Sequence, residues 1–350
     1  MNVSQSVSKK NIALLLDLLA QAHRIAIVCH ARPDGDAVGS MTALAQVLAM
    51  RGHDVLCIAP TAVPAPLRWV AGFELVKTFS LDGQYISREL PSVQLFFHVD
   101  HNSLSRVDPQ LEQALRACNA PRVMIDHHLH PESADFSLCF SRPQSSSTCE
   151  LLYEIIHRAW GKPAISRSVA ECLYMGILTD TGSFAHSCSN KRTYEVAGTL
   201  VELGVDVPAV RDHVLGSYSL ERYRLYGTAM ASKTDFFANG QAAIISLSDE
   251  FLSSAGFSTG DTEGLVNEPL TVQGVIISAL LSERHDGGVR VSLRSRGHAE
   301  VNAIARAHFN GGGHPQASGG TLYMPLRKAS LFVRLVIAEA IKTGDCFPSR

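Results

Sequence analysis

Four short segments bring histidines and carboxylates together at spacings that suit a hard or borderline divalent cation. They are His30-Ala-Arg-Pro-Asp34-Gly-Asp36, Asp100-His101-Asn102, Asp126-His127-His128 and Asp180-Thr-Gly-Ser183. Carboxylate oxygens mixed with imidazole suit Mn2+, with Mg2+ or Co2+ as alternatives, and argue against a thiolate zinc site. Taken singly, each fragment has a plainer reading. Asp34-Gly35-Asp36 makes a turn, His127-His128 a partly buried pair, Asp100 a cap for a helix beginning near Ser103, and Asp180 a helix-terminal residue. Taken together they are harder to dismiss, because unpaired carboxylates gathered at one place repel and raise each other's pKa, and cations relieve that penalty.

A second group lies far along the chain. Gly311-Gly312-Gly313-His314 follows a helical stretch, Val301 to Phe309, and holds more glycine than a helix cap requires. The surplus points to close backbone approach to a ligand, with main-chain N–H groups and His314 available to an anion. Arg294 and Arg296, at the end of an apolar strand pattern, suit bidentate phosphate recognition, and suit a solvated strand end equally well. Arg106 could aid phosphate binding but reads first as a surface arginine. Ser183 and His186 lack a third orienting group, which disfavours a hydrolase triad. Phe236 and Phe237 read as core.

The elements that must carry these groups follow from hydrophobic period. Apolar runs at Ile25–Cys29, Val55–Ala59, Val93–Val99 and Val123–Ile125 read as strands covered on both faces. Helical patterns at 11–22, 37–50, 110–118, 148–160, 169–178 and 192–203 alternate with them, and Gly52 and Gly204 suit C-terminal caps. This predicts an α/β domain with a mainly parallel sheet flanked by helices, in which ligands collect beyond the carboxyl ends of the strands. Beyond about residue 215 the pattern changes to hairpins, with Asn239-Gly240 and Asp286-Gly287-Gly288 as turns. The expectation is a metal-binding catalytic domain over 1–216, a linker helix over 217–233, flexible near Ser217 to Arg224, and a smaller α+β substrate-binding domain over 234–350, with a cleft between them.

Composition narrows the function classes. The 350 residues are 46% hydrophobic and 18% charged, which describes a folded globular chain. With 31 Lys+Arg against 33 Asp+Glu the net charge of −2 gives too weak a field to hold a long duplex nucleic acid by counterion release. Short oligonucleotides and mononucleotides remain open as partners. The best N-terminal apolar run, Ile12 to Ala20, is interrupted by Asp17, so a cytoplasmic protein with no membrane partner is expected. Eight scattered cysteines contain no close CxxC pair and read as reduced core thiols.

His30-x-x-x-Asp34-x-Asp36, Asp100, Asp126-His127-His128 and Asp180 resemble the four N-terminal motifs of the DHH phosphoesterase superfamily. Gly311-Gly-Gly-His314-Pro-Gln-Ala-Ser-Gly-Gly320 resembles the signature of its associated C-terminal domain, and the likeness spans roughly residues 12 to 345. The resemblance implies two cations per active site: His30 and Asp34 on one, Asp36, His127 and Asp180 on the other, and Asp100 bridging. It also implies that His128 faces the substrate phosphate and that Asp126 orients the metal-binding histidine. In the second domain, Ser292-Leu-Arg294-Ser295-Arg296 looks like the family's substrate-binding strand. His101 departs from the pattern and reads as a neighbour of the ligands or a substrate contact.

The compact length is similar to the bifunctional oligoribonuclease (nanoRNase) and phosphoadenosine phosphatase subgroup. That implies metal-dependent hydrolysis of short oligoribonucleotides to nucleoside 5'-monophosphates, with 3'-phosphoadenosine 5'-phosphate as a second substrate and a homodimer as the assembly. Hydrolysis of pGpG or cyclic di-AMP is the enzymatic alternative, and a noncatalytic nucleotide or RNA sensor the alternative from another class. A pyrophosphatase reading is disfavoured by the glycine-rich signature, and a long-strand exonuclease by the neutral charge and modest length.

Overall fold

The computed structural model describes residues 7–185, 187–216, 219–258 and 260–347. His186 and Ser217, weighed above as a catalytic partner and as a hinge, lie outside the described residues. Contacts divide the chain into two units, Met1–Ser217 and Tyr218–Arg350.

The first unit holds six strands: β1 (Arg24–Val28), β2 (Asp54–Ala59), β3 (Val76–Thr78), β4 (Leu95–Val99), β5 (Arg122–Asp126) and β6 (Leu138–Ser141). All pair in parallel, in the order β3-β2-β1-β4-β5-β6. Its helices are α1 (Lys9–Ala20), α2 (Gly35–Ala49), α3 (Phe79–Glu89), α4 (Pro109–Arg116), α5 (Thr148–Trp160), α6 (Arg167–Asp180), α7 (Lys191–Glu202) and α8 (Val207–Leu215). Strand β1 shows why the apolar runs are continuous rather than alternating. Ile25 and Ile27 enter the larger core under α1, α2, α5 and α6, while Ala26 and Val28 enter a second core under α3 and α4.

Helix α2 is buried along nearly its whole length. Its approach to α6 depends on absent side chains. A β-carbon on Gly39 would stand 2.4 Å from the Cys172 carbonyl oxygen of α6, and one on Gly176 of α6 would stand 2.7 Å from Asp36 Oδ1. The sequence pattern passed over β3, β6, α3 and α8. Strands β3 and β6 are the two edges of the sheet, three and four residues long, too short to show a period.

The second unit is α+β, with β7 (Thr234–Phe237), β8 (Ala242–Leu247), β9 (Ile277–Glu283), β10 (Val289–Ser295), β11 (Gly312–His314) and β12 (Ala317–Leu322) in the order β11-β12-β10-β9-β8-β7. Among the described residues only the β8–β9 pairing of this unit is parallel, and both turns anticipated at Asn239-Gly240 and Asp286-Gly287-Gly288 join antiparallel neighbours. Helices α11 (Asn302–His308) and α12 (Leu326–Thr343) cover one face of this sheet. The other face is partly covered by α9 (Leu220–Ser232), α10 (Asp249–Ser254) and the 3-10 segment Leu265–Thr271. The helix read as a linker is α9, and it packs Leu225 and Ala229 against Ile245, Leu247 and Leu280 as part of this unit. Phe236, anticipated in the core, is 49% exposed on the edge strand β7.

Candidate metal centre

Every candidate ligand of the first unit stands at or just beyond the carboxyl ends of β1, β4 and β5, or at the helix ends that meet them. His30 follows β1. Asp34 is the N-cap of α2, where its Oδ1 accepts from Asp36 N and Ala37 N at 3.0 Å each, so the segment read as a turn starts a helix. Such a cap stabilises the helix by about 1 kcal/mol, and its Oδ2 lies 3.9 Å from His30 Nε2.

Asp36, two residues further, is buried, and both of its oxygens accept main-chain N–H bonds from the start of α5. Thr148 N donates to Oδ2 at 2.6 Å and Cys149 N to Oδ1 at 2.9 Å. Asp180 ends α6 with Oδ2 3.3 Å from His127 Nε2.

Asp100 stands at the middle of these groups. It follows β4 with φ +60°, a left-handed conformation in which non-glycine residues are uncommon. It caps no helix, since Ser103 caps the turn that follows it. Its Oδ2 lies 3.3 Å from His30 Nε2, its Oδ1 3.7 Å from His127 Nε2, and the Thr148 hydroxyl donates to Oδ1 at 3.0 Å. Among the described residues Asp100 belongs to three sets of donor atoms that lie within 4.8 Å of one another, with His30 and Asp34, with Asp36 and His127, and with Asp126 and His128.

The histidine tautomers bear on whether cations fit this site. His30 Nδ1 lies 2.9 Å from the Ala31 carbonyl oxygen and His127 Nδ1 3.2 Å from that of Ser145. A carbonyl only accepts, so each Nδ1 carries a proton and each Nε2 is aimed at carboxylate oxygens. Between such a nitrogen and a carboxylate there must be either a proton or a cation. Burial opposes protonation of His30, yet its hydrogen bond to Asp100 and the charge of Asp34 lift it to about 9. His127 is lifted to about 10 against burial by Asp180, Asp100 and Asp36. Burial, with Asp34 and Asp100, pushes Asp180 up to about 7 against the pull of His127. The centre therefore holds protons tightly at positions where divalent cations would displace them, and its oxygen-rich donors with imidazole fit such ions.

Asp126 and His128 form a separate couple beside this cluster. Asp126 is fully buried, and its Oδ1 accepts from His128 Nδ1 at 2.7 Å while Oδ2 accepts the His128 main-chain N–H at 2.9 Å. That pair of bonds fixes the ring, and holds the Asp126 carboxyl below the usual range despite its burial. The partner of Asp126 is thus His128 rather than the candidate ligand His127.

His101 is neither ligand nor surface contact. It is fully buried, bonded to the Val99 carbonyl and to His98. Thr148 was missed by the sequence reading. The pattern Ser147-x-x-Glu150 before an apolar helix is a capping box, a signal that a helix N-terminus with its unpaired N–H groups begins there.

Two candidates of the second unit, Ser295 and Arg296, have main-chain partners of their own. Along β10 the side chains alternate, so Arg290, Ser292 and Arg294 share one face and Ser295 turns into the core. The Ser295 hydroxyl donates to the Ala299 carbonyl at 2.6 Å, which removes it from substrate contact. Arg296 is exposed, and its Nη1 donates to the Leu270 carbonyl at 2.9 Å, tying the strand end to the neighbouring 3-10 segment.

The glycines of 311–320 answer a different need from the one anticipated. A β-carbon on Gly311 would stand 1.8 Å from the Gly319 carbonyl oxygen, one on Gly313 2.5 Å from that of Ala317, and one on Gly320 2.0 Å from that of Phe309. Close approach is to the hairpin's own backbone. Gly312 is uncrowded, its nearest neighbour being Arg306 Cγ at 3.7 Å. His314 ends β11 opposite Ala317 and is half-buried.

Among the described residues no helix is long and apolar enough to cross a membrane. Curated relatives include the probable bifunctional oligoribonuclease and PAP phosphatase of Streptococcus mutans, 28% identical over 310 residues that cover 87% of this chain and 92% of that one. The cyclic-di-AMP phosphodiesterase of Geobacillus thermodenitrificans is 26% identical over 322 residues, 86% of this chain and 45% of that protein. Among solved structures, an exopolyphosphatase-related protein from Bacteroides fragilis is 32% identical and superposes with a TM-score of 0.89 over 95% of this chain and 97% of its own. Residues 24–177 match the N-terminal domain of the DHH family and residues 239–340 the DHHA1 domain, so the strand-end carboxylates and the glycine hairpin sit in a chain that belongs to the DHH family.

Proposed function

We propose that this protein is a divalent-cation-dependent phosphoesterase that hydrolyses very short oligoribonucleotides to nucleoside 5'-monophosphates and 3'-phosphoadenosine 5'-phosphate to AMP. The observation that carries the reading is Asp100, shared by the donor sets of His30 with Asp34 and of Asp36 with His127. His30, Asp34 and Asp100 would hold one ion, and Asp36, Asp100, His127 and Asp180 the other, with Mn2+ the ion that best suits the donors. When bound, the cations supply Lewis acidity and charge compensation to an in-line phosphoryl displacement.

The chain's own residues do the rest. Asp126 locks the His128 ring through Nδ1 and the main-chain N–H, so the ring is presented to the substrate phosphate in one orientation. Burial of Asp100 and Asp36 keeps bulk water from competing for their oxygens. In the second unit, Arg294 with Arg290 and Ser292 on the same strand face, and His314 on the hairpin, take the non-hydrolysed phosphate and base. Relatives named as oligoribonuclease and PAP phosphatase, matched along most of both chains, support this substrate class.

A second reading, hydrolysis of cyclic di-AMP or pGpG, is favoured by the relative named as a cyclic-di-AMP phosphodiesterase. The two are separated by comparing kcat/KM for 5'-labelled oligoribonucleotides of increasing length, 3'-phosphoadenosine 5'-phosphate, pGpG and cyclic di-AMP, with Mn2+ and with chelator. Mn2+-dependent turnover that falls steeply with RNA length supports the first reading, and cyclic di-AMP as the best substrate replaces it with the second. Tight Mn2+ binding without turnover of any of them would instead mark a sensor.

A further inference from the structure

The left-handed φ of Asp100 needs something to hold it, because the β-carbon of a non-glycine residue crowds the chain at that angle. This φ is the rotation between the Val99–Asp100 peptide plane and the Asp100 α-carbon. Whatever fixes that plane therefore fixes where the shared carboxylate points. The plane is gripped from both edges. Asp100 N–H donates to the Ile125 carbonyl at 3.0 Å, and the Val99 carbonyl accepts from His101 Nδ1 at 2.9 Å.

Because the carbonyl only accepts, His101 carries its proton on Nδ1, and its Nε2 offers a lone pair. His98 Nδ1 lies 2.9 Å from that Nε2 and supplies the matching proton. Both rings are fully buried and meet edge to face, with centroids 5.1 Å apart at 76°. Phe136 closes the far side of His98 edge-on at 5.4 Å. The result is a buried buttress running from Phe136 through His98 and His101 to the Val99 carbonyl. Among the described residues neither histidine belongs to a set of donors that could hold a cation, so a further cation site is not what this arrangement builds.

We infer that His98 and His101 are positioning residues that hold the Val99–Asp100 peptide in the orientation the shared ligand needs. The inference deepens the proposed function and rests on its assignment of Asp100 to both cations. His101→Phe keeps a ring of similar size and deletes the donor to Val99, while His101→Asn returns an N–H donor at the place of Nδ1. His98→Phe acts one bond further away. The metal-free wild type and the three variants are titrated with Mn2+ by calorimetry, melted in chelator, and assayed for kcat and KM with a short oligoribonucleotide.

The expected result is Mn2+ binding about tenfold or more weaker in His101→Phe, as for other residues that orient metal ligands. Its kcat falls with KM little changed, its melting temperature in chelator stays near wild type, and His101→Asn recovers most of the affinity. His98→Phe shifts affinity in the same direction by less. Wild-type Mn2+ affinity in His101→Phe overturns the inference. So does an affinity loss that merely follows a lower melting temperature and is not restored by Asn. Failure of the functional reading looks different: the wild type binds Mn2+ yet leaves the oligoribonucleotide intact, and the affinity ranking of the variants still reports on positioning.

Discussion

Replacing Thr148 by Val tests how the shared carboxylate is oriented. The Thr148 hydroxyl donates to Asp100 Oδ1 at 3.0 Å, and both residues are buried, so water cannot substitute for the lost donor. Valine keeps the shape and removes only the hydroxyl, while the main-chain N–H of residue 148 stays on Asp36 Oδ2. A buried hydrogen bond to a charged group contributes about 1.5–3 kcal/mol. At about 1.4 kcal/mol per factor of ten, that corresponds to a cation affinity weaker by roughly ten- to a hundredfold, which is the range seen for residues that orient metal ligands. The measurement is Mn2+ titration of the metal-free protein by calorimetry, with Thr148→Ser, which keeps the hydroxyl, expected near wild type. Thr148→Val binding Mn2+ as tightly as wild type would refute the argument, as would an equal loss in Thr148→Ser.

Stability of the metal-free protein should fall as pH rises from about 6.5 to about 10, whereas below that the depressed His98 and His101, which add stability as pH rises, oppose the raised Asp180. Folding raises Asp180 to about 7, His30 to about 9 and His127 to about 10, so each contributes stability that is complete below its unfolded pKa and is lost as pH passes through the folded value. Melting curves in chelator should show the slope and saturating Mn2+ should flatten it, since cations displace those protons; a metal-free melting temperature that rises over this range contradicts the site's electrostatics. Gly311→Ala and Gly320→Ala should destabilise the second unit by about 3 kcal/mol or more, beyond ordinary overpacking, because the clash is with backbone. Gly312→Ala should change stability by less than about 1 kcal/mol, and urea unfolding of the three variants would expose the reverse order. Arg294→Ala should raise KM for a short oligoribonucleotide more than it lowers kcat, and an unchanged KM would remove Arg294 from substrate binding.

What the sequence made legible follows from the architecture. In a parallel sheet, residues just past apolar runs converge on one edge, so His30, Asp100 and the Asp126-His127-His128 run could be grouped from linear position alone. The hydroxyl of Thr148 could not, because its partner Asp100 is 48 residues away and the contact depends on how α5 is aimed. His101 read as a neighbour of the candidate ligands or a substrate contact, and the fold places it inside, bonded to His98, a partner that linear position did not mark. Ser295 was misassigned for a reason the sequence does contain: the two-residue alternation of β10 that sends Arg294 to one face sends Ser295 to the other. Gly311 and Gly313 signalled a real close approach, but the backbone they meet lies a few residues further along the same hairpin.

The terminal carboxylates of the two donor sets are fastened differently from the one they share. Asp34 is held by the N–H groups of residues 36 and 37, and Asp36 by those of residues 148 and 149. Main-chain donors persist through every replacement except proline, so these two candidate ligands are insulated from sequence drift around them. Asp100 relies on the Thr148 hydroxyl and on the His30 ring, which a single codon change can remove. Tolerance to mutation should therefore be unevenly spread across one small site, generous around its outer ligands and narrow around its centre.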